Sequence, residues 1–320
     1  MTEDILGADR NGAARADATQ QRRALLLINE SSRQGQDGGQ QAVEILERGG
    51  IQLRRETCER PGDLADTIRR VADKVDLVVL GGGDGTLSLA APALIETGLP
   101  LGILPLGTAN DLARTLGMPF DIAAAAQVIV DGRLRQIDVG EVNGTPFFNV
   151  ASMGLSVGMT RELTHDVKQR WGKLGYAVAT FRALSRMRPF SAEIRSGDEI
   201  HKVRTLQISV GNGRYYGGGI AVEEEAAIDD GCLNLYSLEF DRLWKLALVY
   251  PAFRKGRHGM WKEVRTMSCS EVEVRTRRPK PVNTDGEITT HTPAQFRVLR
   301  KAVSVFVPSA ETDVDVQQPS

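Results

Sequence analysis

Two short apolar runs, each closing on a glycine-rich polar loop, set the frame for this chain. The first is Leu77-Val78-Val79-Leu80, followed by Gly81-Gly82-Gly83-Asp84-Gly85-Thr86. The second runs from Leu101 to Leu104 and continues into Pro105-Leu106-Gly107-Thr108-Ala109-Asn110-Asp111. Neither run alternates apolar with polar residues, so each predicts a strand covered on both faces, as in a parallel sheet. Leu87 to Ile95 between them has a helical pattern. A βαβ unit of this kind brings both loops to one edge of the sheet, where open α/β sheets bind ligands.

The residue types in these loops suit a phosphate. Glycine accepts positive φ and close approach of the backbone to a ligand. Successive N–H groups at a helix N-terminus then face the anion. Thr86 and Thr108 offer hydroxyls. Asp84 would repel a bare phosphate, so it either meets a magnesium-bound phosphate or fixes the loop by hydrogen bonds. No Gly-Lys-Ser/Thr follows, which excludes a Walker A loop, and the spacing of Gly81, Gly83 and Thr86 is not that of a dinucleotide fingerprint. The plain alternative is a tight strand-to-helix turn without a ligand; two such loops at one sheet edge argue against it.

The chain has 320 residues, enough for two domains, and its 41% hydrophobic and 25% charged residues are those of an ordinary globular protein. With a net charge of -1 and no recognisable nucleic-acid module, no nucleic-acid partner is expected. Cys58, Cys232 and Cys269 lack zinc or redox spacing and read as reduced thiols. His165, His201, His258 and His291 are scattered, without metal-pair spacing. No apolar stretch is long enough to span a bilayer and no signal-peptide pattern opens the chain, so a cytoplasmic protein is expected.

Residues 1–21 and 309–320 read as disordered tails. From 22 to 133 strands and helices alternate: Ala24 to Ile28 and Ile51 to Thr57 as strands, Gln40 to Arg48 as a helix after a polar loop from Asn29 to Gly39, and a helix capped by Pro61-Gly62-Asp63. Asp121 N-caps Ile122 to Val130. This predicts a doubly wound α/β domain, with Thr57 at a strand end where a further nucleotide contact can arise. From 134 to 308 short β patterns dominate: Gln136 to Val142, Pro146 to Val150, Ser191 to Ser196, Val203 to Asn212, Leu233 to Leu238, Val272 to Arg275, Gln295 to Leu299 and Val303 to Val307. They predict an antiparallel β-sandwich domain.

Three stretches of this second half carry chemistry. Gly211-Asn212-Gly213-Arg214-Tyr215-Tyr216-Gly217-Gly218-Gly219 is an aromatic, glycine-rich loop that can line a cleft or simply connect a hairpin. Ala227-Ile228-Asp229-Asp230-Gly231-Cys232 sets adjacent carboxylates at a glycine turn, which can hold a hard cation through oxygens or be a common Asp-Gly turn. Asn283-Thr284-Asp285-Gly286-Glu287 is either a hairpin turn or a turn that projects a carboxylate into a cleft. Two basic segments with interleaved Trp, residues 161–188 and 254–262, suit an anionic membrane surface or a solvated face equally well.

Taken together, GGGDGT and PLGTANDLA resemble the catalytic domain of the diacylglycerol kinase family, which also holds sphingosine and ceramide kinases. The similarity is greatest to the soluble bacterial YegS-like lipid kinases, and the NGRxxGGG segment and DGE turn extend it over residues of about 22–307. The resemblance implies an ATP-dependent lipid kinase with its cleft between the two domains. It implies ATP contacts at Thr57, at Gly81, Gly82, Gly83, Asp84, Gly85 and Thr86, and at Thr108. Asp84 would aid a magnesium ion bridging the phosphates, and Glu287 would be the general base. A structural Mg2+ would be held by the Asp230 carboxylate and the carbonyls of Ala227 and Cys232. Diacylglycerol or a related glycerolipid, met at the membrane surface through a peripheral anionic contact, is the implied acceptor; a homodimer is left open. Two departures stand out. Ser88-Leu89 replaces the usual Asn-Glu, and Ala221-Val222-Glu223-Glu224-Glu225 replaces a proline-containing segment. An NAD kinase-like enzyme with a soluble acceptor and a non-catalytic nucleotide or lipid sensor are the alternatives, the latter supported by Leu89.

Overall fold

The computed structural model describes residues 21–28, 33–58, 60–154, 188–213, 215–216, 220–221, 227–240 and 264–309. Both basic segments lie outside these residues except for Arg188, as do Arg214, Gly217, Gly218, Gly219, the Glu223-Glu224-Glu225 run, His165, His258 and nearly all of both tails.

The first half forms four parallel strands, β1 (Arg23–Ile28), β2 (Gln52–Glu56), β3 (Leu77–Gly82) and β4 (Leu101–Pro105), in the order β2-β1-β3-β4. Helices α1 (Arg33–Arg48) and α5 (Ile122–Asp131) pack together, as do α2 (Leu64–Val71) and α3 (Asp84–Thr97). Covered by these helices, β3 and β4 are buried at every position, which accounts for their unbroken apolar pattern. Asp121 caps α5 as expected, its carboxylate accepting from the Ala124 amide at 2.9 Å. Helix α1 begins seven residues earlier than its pattern indicates. Gly38 and Gly39, which read as loop, sit where a Cβ would come within 3.2 Å of Ile122 and Ile28, so the small residues let this turn lie close to its neighbours.

The second half is antiparallel. Strands β5 (Leu134–Val142), β6 (Thr145–Phe147), β8 (Phe190–Ser196), β9 (Glu199–Thr205) and β15 (Glu271–Thr276) join the first sheet through the long β18 (Ala294–Phe306). A second, six-stranded sheet has the order β14-β13-β10-β7-β16-β17 among the described residues. Its strands are β7 (Val150–Gly154), β10 (Gln207–Gly211), β13 (Leu233–Leu238), β14 (Val264–Cys269), β16 (Pro281–Thr284) and β17 (Glu287–His291). The pair β11 (Tyr215–Tyr216) and β12 (Ile220–Ala221) stands apart. The architecture is thus an α/β domain with a parallel sheet followed by an antiparallel β-sandwich.

Two differences from the sequence reading have clear causes. Val203 to Asn212 is not one strand: the chain breaks at Leu206, whose amide donates to Leu238, and passes from one sheet to the other. Conversely, Gln295 to Leu299 and Val303 to Val307 are one strand, kinked where Lys301 takes φ 50°. The far end of β18 pairs in parallel with β4 at Val305 and Leu101, so the last strand among the described residues extends the first domain's sheet.

No helix among the described residues is long and apolar enough to cross a membrane. All three cysteines are free, and burial pushes the Cys269 thiol up to about 11. At pH 8 that leaves roughly one thiolate in a thousand. Cys269 is therefore expected to be the slowest of the three to be alkylated in the native protein, read by peptide mass mapping against a denatured control; equal rates would contradict this packing.

Candidate active site

The two glycine loops lie against each other. A Cβ on Gly107 would meet the Gly83 Cα at 2.4 Å, and one on Gly82 would meet the Thr86 hydroxyl at 2.5 Å. None of Gly81, Gly82, Gly83 and Gly85 has positive φ, so close packing rather than left-handed backbone explains the first three. Beside Gly85 there is open space, with nothing within 4 Å of an added Cβ. The left-handed residue is Asn110, at φ 51°. Its side chain closes the second loop, accepting from the Gly107 amide at 3.0 Å and donating to the Gly107 carbonyl at 2.8 Å.

Asp84 is the first residue of α3, so the amides of Asp84 and Gly85 have no acceptor inside the helix. They form the donor end suited to an anion. The Asp84 carboxylate itself ties the loops together. It accepts from the amides of Asp111 and Leu112, both at 3.0 Å, which open the short helix α4 (Asp111–Thr115). It also accepts from the Asn149 side-chain amide at 3.1 Å. Of the two uses open to Asp84 on sequence grounds, these bonds realise the fixing of the loop. Thr86 is half-buried beside Gly82, and Thr108 is exposed at its loop tip. Thr57 is exposed just past β2, two strands from β3, about 10 Å away across the sheet. It lines a cavity of about 450 Å³ with Leu26, Ile28, Val43 and Glu56, to which the glycine loop does not contribute.

The DGE stretch is a two-residue hairpin loop. Thr284 pairs with Glu287, and Asp285 and Gly286 between them both take positive φ, at 47° and 106°. Asp285 turns inward. Its carboxylate accepts from the amides of Phe148 at 2.8 Å, Asn149 at 3.1 Å and Val150 at 2.9 Å, and from the Ser88 hydroxyl at 2.6 Å. Burial pushes its carboxyl above the usual carboxylate range, and the Ser88 hydroxyl and the three amides pull it back. Glu287 is exposed and its carboxylate makes no hydrogen bond among the described residues. Asn283, three residues before Gly286, is buried; its side-chain oxygen accepts from the Gly286 amide at 2.9 Å and its side-chain nitrogen has no partner among the described residues.

The Asp230 loop stands elsewhere. The Asp230 carboxylate accepts from the amides of Ala227 at 3.2 Å and Cys232 at 2.8 Å. Each oxygen retains a lone pair, and with the carbonyls of Ala227 and Cys232 the loop offers only hard oxygen donors, which fits magnesium. Asp229 is engaged otherwise: the Arg135 guanidinium binds it at 2.9 and 2.7 Å and holds its carboxyl below the usual range. Gly231 is tied to buried Asp138, whose carboxylate accepts from the Gly231 amide at 2.6 Å and the Lys301 amide at 2.7 Å. Asn212 of the NGR segment donates to the carbonyls of Asp138 at 2.9 Å and Phe148 at 3.1 Å.

Sequence reasoning did not single out Asp138, Asn149 or the inward role of Asp285. The signal was present for two of them. Asp138 interrupts Ile137 and Val139, and Asn149 follows Phe147-Phe148 and precedes Val150. A polar residue inside an apolar strand run needs partners. Leu89 is half-buried and packs on the first-domain core.

The profile of the diacylglycerol kinase catalytic domain matches residues 23–142, and that of the YegS C-terminal NAD kinase beta sandwich-like domain matches residues 149–307. A probable lipid kinase YegS-like from Klebsiella pneumoniae is 37% identical over 217 residues, covering 66% of this chain and 73% of its own. The diacylglycerol kinase of Bacillus subtilis is 27% identical over 277 residues, covering 85% and 91%. The crystal structure of a diacylglycerol kinase from Bacillus anthracis superposes with a TM-score of 0.77 at 25% identity, covering 92% of this chain and 99% of that one.

Gly107→Ala forces the two loops apart and is expected to lower the unfolding free energy by about 1–3 kcal/mol. Gly85→Ala, with open space and a helical position, is expected to leave stability unchanged or raise it by up to about 0.5 kcal/mol. Urea titration of both variants checks the pair, and equal destabilisation would refute the loop-on-loop packing.

Proposed function

We propose that this chain, which belongs to the diacylglycerol kinase family of lipid kinases, transfers the γ-phosphate of ATP to a hydroxyl of diacylglycerol or a related glycerolipid. The observation that carries this reading is the contact between the DGE turn and α3, the helix that the glycine loop opens. Ser88 lies one helical turn after Asp84 and donates to Asp285, and Glu287 is two residues further on. Phosphoryl transfer to a hydroxyl needs a proton acceptor near an anion-binding loop.

In this reading residues 22–133 are the nucleotide-binding unit and 134–308 the acceptor side. The amides of Asp84 and Gly85, with Gly81, Gly82 and Gly83 allowing close approach, hold the phosphates. Thr86 and Thr108 add hydroxyl contacts, and Thr57 contacts the rest of the nucleotide. Asp84 acts by keeping both loops in register through the α4 amides. Glu287, exposed and free of hydrogen bonds among the described residues, takes the proton as the lipid hydroxyl attacks the γ-phosphate. Asp230 with the carbonyls of Ala227 and Cys232 would hold a structural Mg2+, which when bound supplies positive charge to order the second domain's loop. A second magnesium ion would neutralise phosphate charge. The lipid is met at the membrane surface, with peripheral attachment from the cytoplasm. The Ser88-Leu89 departure is compatible with catalysis, because the Ser88 hydroxyl reaches Asp285 and Leu89 packs on the core.

Label transfer from γ-labelled ATP, with magnesium, to a lipid panel in anionic vesicles tests the reading. Wild type is expected to label a glycerolipid. Glu287→Gln is expected to lower kcat by about 10²–10⁴-fold with little change in ATP affinity. Asp84→Asn, which turns an acceptor into a donor facing the α4 amides, is expected to weaken ATP binding as well. Label appearing on NAD and not on lipid, or ATP binding without transfer to any acceptor, overturns the proposal.

A further inference from the structure

We infer that Asn149 and Ser88 are positioning residues for phosphoryl transfer, holding the Glu287 carboxylate and the phosphate loop at a fixed separation through one ring of three hydrogen bonds closed by a turn of α3. This rests on the kinase reading above and names side chains to which that reading gives no part in binding or in chemistry.

The ring has four members. Asn149 donates from its side chain to the Asp84 carboxylate at 3.1 Å and from its backbone to the Asp285 carboxylate at 3.1 Å. Asp285 accepts from Ser88 at 2.6 Å, and Ser88 returns to Asp84 through one turn of α3. Helix α3 is thus tied to Asn149 and Asp285 of the second half at two points about 6 Å apart along its axis. A single hydrogen bond would act as a pivot; two at this spacing also resist rotation. Asn149 is 6% exposed and its carbonyl accepts from the Asn212 amide at 2.8 Å, so its own freedom is small.

The ring matters because no hydrogen bond among the described residues holds the Glu287 side chain itself. Glu287 follows Asp285 and Gly286 in a two-residue turn. Its direction is therefore set by the turn, and Asp285 is the turn's anchor. Asp285 in turn is held by three amides of 148–150 and by Ser88. A shift of the base by about 1 Å costs on the order of a hundredfold in rate, while ground-state binding of nucleotide and lipid need not change. The hydroxyl of Ser88 also gives the departure at this position a part to play: a shorter side chain than the usual Asn still reaches the turn.

Steady-state kinetics of full-length Ser88→Ala, Ser88→Thr and Asn149→Ser, on the lipid labelled by wild type, test this. Ser88→Ala is expected to lower kcat by about ten- to a hundredfold, with KM for ATP and for lipid within about twofold. Ser88→Thr keeps the hydroxyl and is expected to restore kcat to within about threefold of wild type. Asn149→Ser is expected to lower kcat likewise, and the double variant Ser88→Ala/Asn149→Ser to fall short of the product of the two single losses, because one ring is broken in each. Unchanged kcat in Ser88→Ala, a rise in KM at constant kcat, or no rescue by threonine overturns the inference while leaving the kinase reading intact. A wild type inactive on every lipid overturns the kinase reading itself, and this inference with it.

Discussion

The bond from Asn149 to Asp84 joins the two halves of the molecule at the place where chemistry is expected. Its importance follows from what each partner already does. Asp84 holds the N-terminus of α4 through two amides, and Asn149 belongs to the segment whose amides hold Asp285. Each carboxylate collects donors from segments distant in sequence, so neither loop can move without breaking bonds in the other. Such charge-assisted bonds to backbone amides are stronger than neutral ones, and a half-buried carboxylate deprived of them would be costly. The same device recurs at Asp138, which ties the Asp230 loop to the kink of β18.

Glycine serves two different ends in this site. Gly82, Gly83 and Gly107 are small because a Cβ would collide with the neighbouring loop or with Thr86. Gly286 is needed for its positive φ in a hairpin loop whose other residue, Asp285, shares that conformation. Asp-Gly supplies such a turn with little strain, and it leaves Glu287 at the start of the outgoing strand, exposed. Local chain chemistry thus aims one acid inward and the next outward. Their environments differ accordingly: Asp285 is enclosed by four donors, and the Glu287 carboxylate has no hydrogen-bond partner among the described residues.

Strand β18 links the two halves of the chain. One end pairs with β15 and the other with β4, while β5 runs along most of its length. The hydrophobic core of the first half accordingly includes Ile137, Val139, Val303, Val305 and Phe306. A sheet continuous through both halves limits relative motion, which suits a site whose donors and acceptors come from either side.

Much of this was legible in the order of residues. Unbroken apolar runs identified the parallel strands, because burial on both faces removes alternation. Asp121 announced the start of α5, and the two glycine loops pointed to the family, a likeness that the NGR segment and the DGE turn extended. These are local properties, set by propensity and by residue size. The start of α1 was not legible, since Gly38 and Gly39 become helical only where packing against Ile122 and Ile28 favours small residues. Nor was the break at Leu206, since an apolar pattern runs on through it, or the union of Gln295–Leu299 with Val303–Val307 across the kink at Lys301. The partners of Asp84, Asp138 and Asp285 lie 27 to 197 positions away. A sequence can show that a buried carboxylate requires donors; which distant amides supply them is decided only when the sheets have brought those segments together.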